Sequence, residues 1–228
     1  MNKLHVQFNY SNTSRLINML LSLSRTRLLN LIDFSATEKS LIVDIGCSSG
    51  TLTRVLSLKA PTVGLDINKS TLVWLKKHAR HIELICADIA HLPLRKDSVD
   101  IAVMASVLEH VVDLEKVAKQ MRFVIKKDGM IVAGYPIETK LLKAVIELIS
   151  KKTVSVWDPR RVMKDKDYLA SPHTHKQSFS SIRNALCRYF SVCAKEKVPL
   201  TCLPDFLSIY ECVRLGERSK ATCTSSTH

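Results

Sequence analysis

The chain has 228 residues, 46% of them apolar and 24% charged, with 34 Lys and Arg against 21 Asp and Glu for a formal net charge of +13. That length accommodates one large core, and the composition excludes a disordered or fibrous chain. Its most apolar stretches, Leu16 to Ile32 and Leu141 to Ile149, are broken by Arg or Lys or are too short to span a bilayer, so no transmembrane segment is expected.

In chain order, Thr13 to Asp33 places Leu16, Leu20, Leu23, Leu28, Leu31 and Ile32 at mostly helical spacing, which predicts an N-terminal helical cover over residues 1–34. Leu41 to Ile45 is a short apolar run closed by a glycine turn, and it predicts a buried strand. Strands are then expected at Thr62 to Leu65, Ile82 to Cys86, Val99 to Met104 and Met130 to Ala133. Helices are expected near Leu52 to Leu58, Ser70 to His78 and Asp113 to Ile125. In the last helix Leu114, Val117, Met121 and Val124 share a face, Asp113 suits the cap, and Lys126, Lys127 and Gly129 suit the end. Such alternation implies a doubly wound α/β fold, a mostly parallel sheet of seven strands.

Beyond Pro136 the polar stretch to Gln177, with Trp157, Tyr168, His173 and His175, reads as a lid inserted over about 137–177 in a main domain of 35–216. A helix carrying Phe179, Ile182 and Leu186 follows. Strands at Ser191 to Val198 and Leu207 to Leu215, with no helix between them, predict an antiparallel C-terminal hairpin. Residues 217–228 read as a polar tail. The N-terminal ten residues lack the pattern of a secretory signal. Seven cysteines without a C-x-x-C pair suit a reducing compartment. A cytoplasmic protein is expected.

Chemistry concentrates in Val43-Asp-Ile-Gly-Cys-Ser-Ser-Gly50, where glycines allow a tight turn and the following helix offers free N–H groups. Asp66 ends the second strand, where a carboxylate can accept both hydroxyls of a ribose. Asp88 ends the third strand on the same edge, followed by Ile89. A dinucleotide fold would want G-x-G-x-x-G, and the turn here is G-C-S-S-G. With no H-E-x-x-H and no cysteine pair, the spacing motifs predict no metal.

Together with Asp97-Ser-Val-Asp100, Val107-Leu-Glu-His-Val111 and Val124-Ile-Lys-Lys-Asp-Gly129, these pieces resemble the class I S-adenosylmethionine-dependent methyltransferases, the small-molecule group similar to ubiquinone-biosynthesis methyltransferases. The resemblance runs from Leu41 to Pro136. It implies S-adenosylmethionine as cofactor, with Asp44, Gly46, Ser48 and Gly50 around the methionine part, Asp66 at the ribose and its neighbour Ile67 also among the cofactor-binding residues. It also implies Asp88 and Ile89 at the adenine, and Ala105 and Ser106 near the sulfonium. Ser48 departs from the glycine usual in the family. His110 and His175 are the candidate bases, with His173 beside the second. The implied acceptor is a small or lipid-like molecule. The net charge also allows RNA or protein as acceptor, although the basic residues are dispersed and no base-stacking platform is evident. An inactive cofactor-binding protein is the third reading.

Overall fold

A computed structural model describes residues 15–34, 39–137 and 175–217. Helix α1 (Arg15–Asn30) leads into β1 (Ile42–Ile45), α2 (Thr51–Ser57), β2 (Thr62–Asp66), α3 (Lys69–His78), β3 (Glu83–Cys86) and β4 (Val99–Ala105). Then come α4 (Leu114–Val124), β5 (Ile125–Pro136), α5 (Phe179–Tyr189), β6 (Phe190–Val198) and β7 (Tyr210–Glu217). The seven strands form one sheet in the order β3-β2-β1-β4-β5-β7-β6. β1 to β5 run parallel, while β7 pairs antiparallel with both β5 and β6. This is the doubly wound, mostly parallel sheet with a terminal antiparallel hairpin that the alternation predicts.

The central strands β1 and β4 and the second half of β5 bury both faces, which is why they read as continuous apolar runs. Val43, Ile45, Ala102, Met104, Ile131 and Ala133 face a cluster with Val117, Met121 and Val124 of α4 and Ile182 and Leu186 of α5. Their sequence neighbours Ile42, Ile101, Val103 and Val132 face Leu28 and Leu29 of α1 and Leu52 and Leu56 of α2. Local capping sets the helix starts: Asp113 accepts the Lys116 N–H at 2.9 Å, and Ser178 accepts that of Ser181 at 3.2 Å.

Two boundaries differ from the sequence expectation. Helix α4 stops at Val124, and Lys126, Lys127 and Gly129, expected to end it, lie in β5. The cause is tertiary: buried Ile125 pairs with Val99 ahead of an irregularity in the β4–β5 register. The last strand begins at Tyr210, because Asp205 to Leu207 forms a 3-10 turn. The helix expected at Leu141 to Ile149, the lid with Trp157, Tyr168 and His173, and residues 218–228 lie outside the described residues.

Parallel register brings the strand ends level. Ile45 is paired with Leu65 on one side and Met104 on the other, so the turns after β1, β2 and β4 leave the sheet along one edge. β2 and β4 flank β1, and the chain order reverses there. In open α/β sheets a crevice at the carboxyl ends of the strands opens at such a point.

Candidate active site

The turn after β1 is built on left-handed backbone. Gly46 has φ 74° and Gly50 φ 72°, while Ser48 holds φ 47° despite its Cβ. Backbone bonds pin the turn to β2: the N–H groups of Gly46 and Cys47 both donate to the Leu65 carbonyl, at 2.7 and 3.0 Å. A Cβ at Gly46 would stand 2.3 Å from Val107 Cγ2, so the turn and the loop after β4 are in direct contact. Glycine is required there twice, by conformation and by space.

Asp66 braces this turn. Its Oδ2 accepts the Ser48 N–H at 2.8 Å and its Oδ1 accepts the Asn68 N–H at 2.8 Å. The first of these bonds holds Ser48 in its left-handed conformation, which is how serine is accommodated where a glycine is usual. Each oxygen keeps acceptor capacity, since a carboxylate offers about four lone-pair sites. Burial raises the Asp66 pKa, against the lowering effect of the Asn68, Ser48 and Ile67 amides. Next to it Ile67 is 69% exposed, an unusual setting for isoleucine.

Asp44 lies deeper. Its side of β1 faces α2, where the Thr53 hydroxyl donates to Oδ2 at 2.6 Å. Burial pushes its pKa up to about 6; the Thr53 bond opposes this, the Asp66 charge adds to it and that of Arg25 opposes it. Arg25 of α1 carries the opposite perturbation: burial lowers its pKa to about 10, while Tyr210 and Asp44 act to raise it. A cation from the N-terminal helix thus sits within the field of the first strand's carboxylate.

Asp88 caps a 3-10 turn at Ile89 to His91, accepting the Ala90 N–H at 2.9 Å, and Ile89 packs against the core at the same edge. After β4, Ala105 leads to Ser106, at φ 57°, whose N–H donates to the Gly134 carbonyl at 2.8 Å. The Ser106 and Tyr210 hydroxyls are 2.9 Å apart. Tyr210 is buried, and burial, with the charges of Cys212 and Glu109, holds its pKa well above the usual phenol value.

The 3-10 turn Leu108 to His110 supplies the remaining groups. Its Glu109 carbonyl accepts the N–H groups of Lys176 and Gln177, at 2.7 and 3.2 Å. The Gln177 side-chain amide donates to the carbonyls of Val111 and Val112, at 3.0 and 2.9 Å. These bonds clamp the segment before α5 onto the loop after β4 and bring together the two histidines. The rings of His110 and His175 lie 5.1 Å apart, edge to face at 70°.

The residues expected at the cofactor occupy strand ends and turns along one sheet edge, from Asp44 to Ser106, and the rings of His110 and His175 meet. Sequence reasoning missed Arg25, Tyr210 and Glu109. The one local signal for Arg25 is Ser24 to Arg27, four polar residues in an otherwise apolar helix, of which Ser24 and Thr26 are buried. A distant feature also departs from expectation. Trp74, 38% exposed, stacks on His78 at 4.1 Å, with the Arg54 guanidinium 5.6 Å from the indole centre. Among the described residues no helix is long and apolar enough to cross a membrane.

Residues 43–133 match the family model described as "Methyltransferase domain". Over 113 residues the chain is 31% identical to an uncharacterized protein of Methanocaldococcus jannaschii, covering 50% of this chain and 48% of that protein. It is 28% identical over 124 residues to the ubiquinone biosynthesis O-methyltransferase of Bradyrhizobium diazoefficiens, covering 52% and 48%. The chain thus spans about half the length of these curated relatives. Among solved structures, a protein of Pyrococcus horikoshii superposes with TM-score 0.64 at 15% identity, over 91% of this chain and 93% of the other. The N-methyltransferase NodS of Bradyrhizobium japonicum gives 0.62 at 16%, over 89% and 98%. A crystal structure of NodS with S-adenosyl-L-homocysteine gives 0.59 at 15%, over 86% of each chain. At these identities the structures share the fold.

Proposed function

Residues 43–133 are a methyltransferase domain of the class I, S-adenosylmethionine-dependent type, and from that premise we propose that this chain transfers a methyl group from S-adenosylmethionine to a small or lipid-like acceptor. The observation that carries the proposal is Asp66. A carboxylate at the end of β2 braces the left-handed turn after β1 and retains acceptor capacity toward the crevice.

The residues present fit this cofactor. Gly46 lets the turn pack directly on Val107, where a Cβ would collide, and so holds the loops after β1 and β4 together at the crevice. Asp66 is suited to the ribose hydroxyls, and Ile67, Asp88 and Ile89 to the adenine. Asp44, Ser48, Gly50 and Arg25 surround the place of the methionine part, with opposite charges for its ammonium and carboxylate. Ala105 and Ser106 line the approach to the sulfonium. When bound, the cofactor supplies the electrophilic methyl carbon; the protein aligns the acceptor and keeps water away. His110 and His175 are the groups placed to take the acceptor's proton.

Two outcomes test this reading. Labelled methyl from S-adenosylmethionine should enter an acceptor in fractionated extract, and His175→Ala should cut that transfer by about 10²- to 10⁴-fold while cofactor affinity stays nearly unchanged. Equal labelling by wild type and variant would remove His175 from the chemistry.

The second concerns pH. An ionised Asp44 favours a ligand carrying an ammonium group, and a bound ammonium in turn favours the ionised form. Because its pKa stands at about 6 in the free protein, affinity for S-adenosylhomocysteine should be constant above that value. Below it, affinity should fall by up to about tenfold per pH unit, and Asp44→Asn should flatten that dependence. A profile flat from pH 7 to 5 in the wild type would detach Asp44 from the ligand.

An RNA acceptor is the second reading. The exposed Trp74–His78 stack beside Arg54, in a chain of net charge +13, supports it. Methyl transfer to purified tRNA or rRNA at enzymatic rates would select it over a small acceptor.

A further inference from the structure

We propose that Glu109, His110 and His175 form a divalent metal site at the acceptor side of the crevice. One donor atom from each of the three lies within 4.8 Å of the others. Ligands about 2.1 Å from a shared ion stand roughly 3–4 Å apart, so small side-chain rotations close the set around an ion. Glu109 is 2% exposed, so a ligand from it is shielded from bulk water.

The backbone assembles the site deliberately. His175 is far from the other two in sequence, and it is held there because Lys176 and Gln177 donate to the carbonyl of Glu109 itself. Two adjacent residues of a 3-10 turn would ordinarily diverge by about a third of a turn; here the donors of both converge with the third. No spacing motif encodes this arrangement, so the absence of H-E-x-x-H does not bear on it.

Two imidazoles and one carboxylate suit a divalent transition-metal ion such as zinc or manganese, and three protein ligands leave open positions for an outside oxygen.

The role of the ion, though not its binding, rests on the methyltransferase reading. With the ion bound, His110 and His175 act as ligands in place of bases: coordination of an acceptor hydroxyl lowers its pKa, and the proton leaves to solvent. The oxygen then forms a bond to the methyl carbon as the carbon–sulfur bond breaks, with that electron pair passing to sulfur to give the neutral thioether product. The acceptor class is therefore an oxygen nucleophile.

The test uses the full chain, without added histidines and stripped with chelator. It is titrated with Mn2+, followed by loss of the free-ion paramagnetic resonance signal. Manganese prefers nitrogen and oxygen donors, so the exposed thiols of Cys86, Cys187, Cys193 and Cys202 do not compete. One ion per chain is expected in the wild type and in His91→Ala, a surface control. His110→Ala, His175→Ala and Glu109→Gln should each weaken binding by about a hundredfold or more. Circular dichroism and S-adenosylhomocysteine binding report whether each variant folds, and His175→Ala, outside the regular elements, stands if Glu109→Gln does not. No stoichiometric binding by the wild type, or equal binding by the His110→Ala, His175→Ala double variant, overturns the site while leaving the methyltransferase reading intact. Manganese binding without S-adenosylhomocysteine binding would do the reverse.

Discussion

Gly46→Val is expected to abolish binding of S-adenosylhomocysteine and to lower stability by about 2–5 kcal/mol, the sum of left-handed backbone strain and overpacking. At φ 74° a β-branched residue is in a disfavoured conformation whatever its surroundings, and the first side-chain carbon would already lie 2.3 Å from Val107 Cγ2. Val107 cannot yield easily, because it precedes the 3-10 turn that carries Glu109 and His110, and its own χ1 is stiff. Relief must come from displacement of the turn. The turn is held by the Leu65 carbonyl and by Asp66, so its displacement moves both the glycine turn and the Asp66 carboxylate proposed for the ribose. Chemical denaturation with a ligand titration checks this. A variant within 0.5 kcal/mol of wild type, the ordinary range of surface substitutions, that still binds ligand would show the turn is not used.

What sequence disclosed follows from how local each feature is. The central parallel strands β1 and β4 are buried on both faces, so they appear as apolar runs that need no knowledge of partners, and the glycine turn is a matter of a few consecutive residues. The end of α4 was not legible. Lys126, Lys127 and Gly129 are sound helix-terminating residues, and only the pairing of Ile125 with Val99 makes them strand. The left-handed Ser48 shows the same limit, since the acceptor that stabilises its backbone is 18 residues away.

The pairing of the two histidines was half legible. His110 and His175 were candidates by residue type and by their places next to the fourth strand and the late helix, but their meeting depends on backbone bonds from Lys176 and Gln177 to Glu109. Tyr210 reaches Ser106 across 104 residues, and Arg25 of α1 acts on Asp44 of the strand that follows. Such convergence leaves no periodicity, because it is a property of the sheet edge and not of any one element. The N-terminal helix, expected as a cover, supplies a buried charged group that acts on Asp44.

The measurement that bears most directly on the whole account is a calorimetric titration of the full chain with S-adenosylhomocysteine, in wild type, Asp66→Ala and Asp66→Asn. Asp66 lies where a ribose can be held, and it also supports the turn through Ser48 and Asn68. Loss of hydrogen bonds to a charged group costs about 1.5–3 kcal/mol. The account therefore predicts one site per wild-type chain and an affinity at least about tenfold weaker in Asp66→Ala, with Asp66→Asn between them because its single amide oxygen keeps part of the acceptor capacity. A wild-type chain that does not bind, or an Asp66→Ala variant that binds equally well, would contradict it.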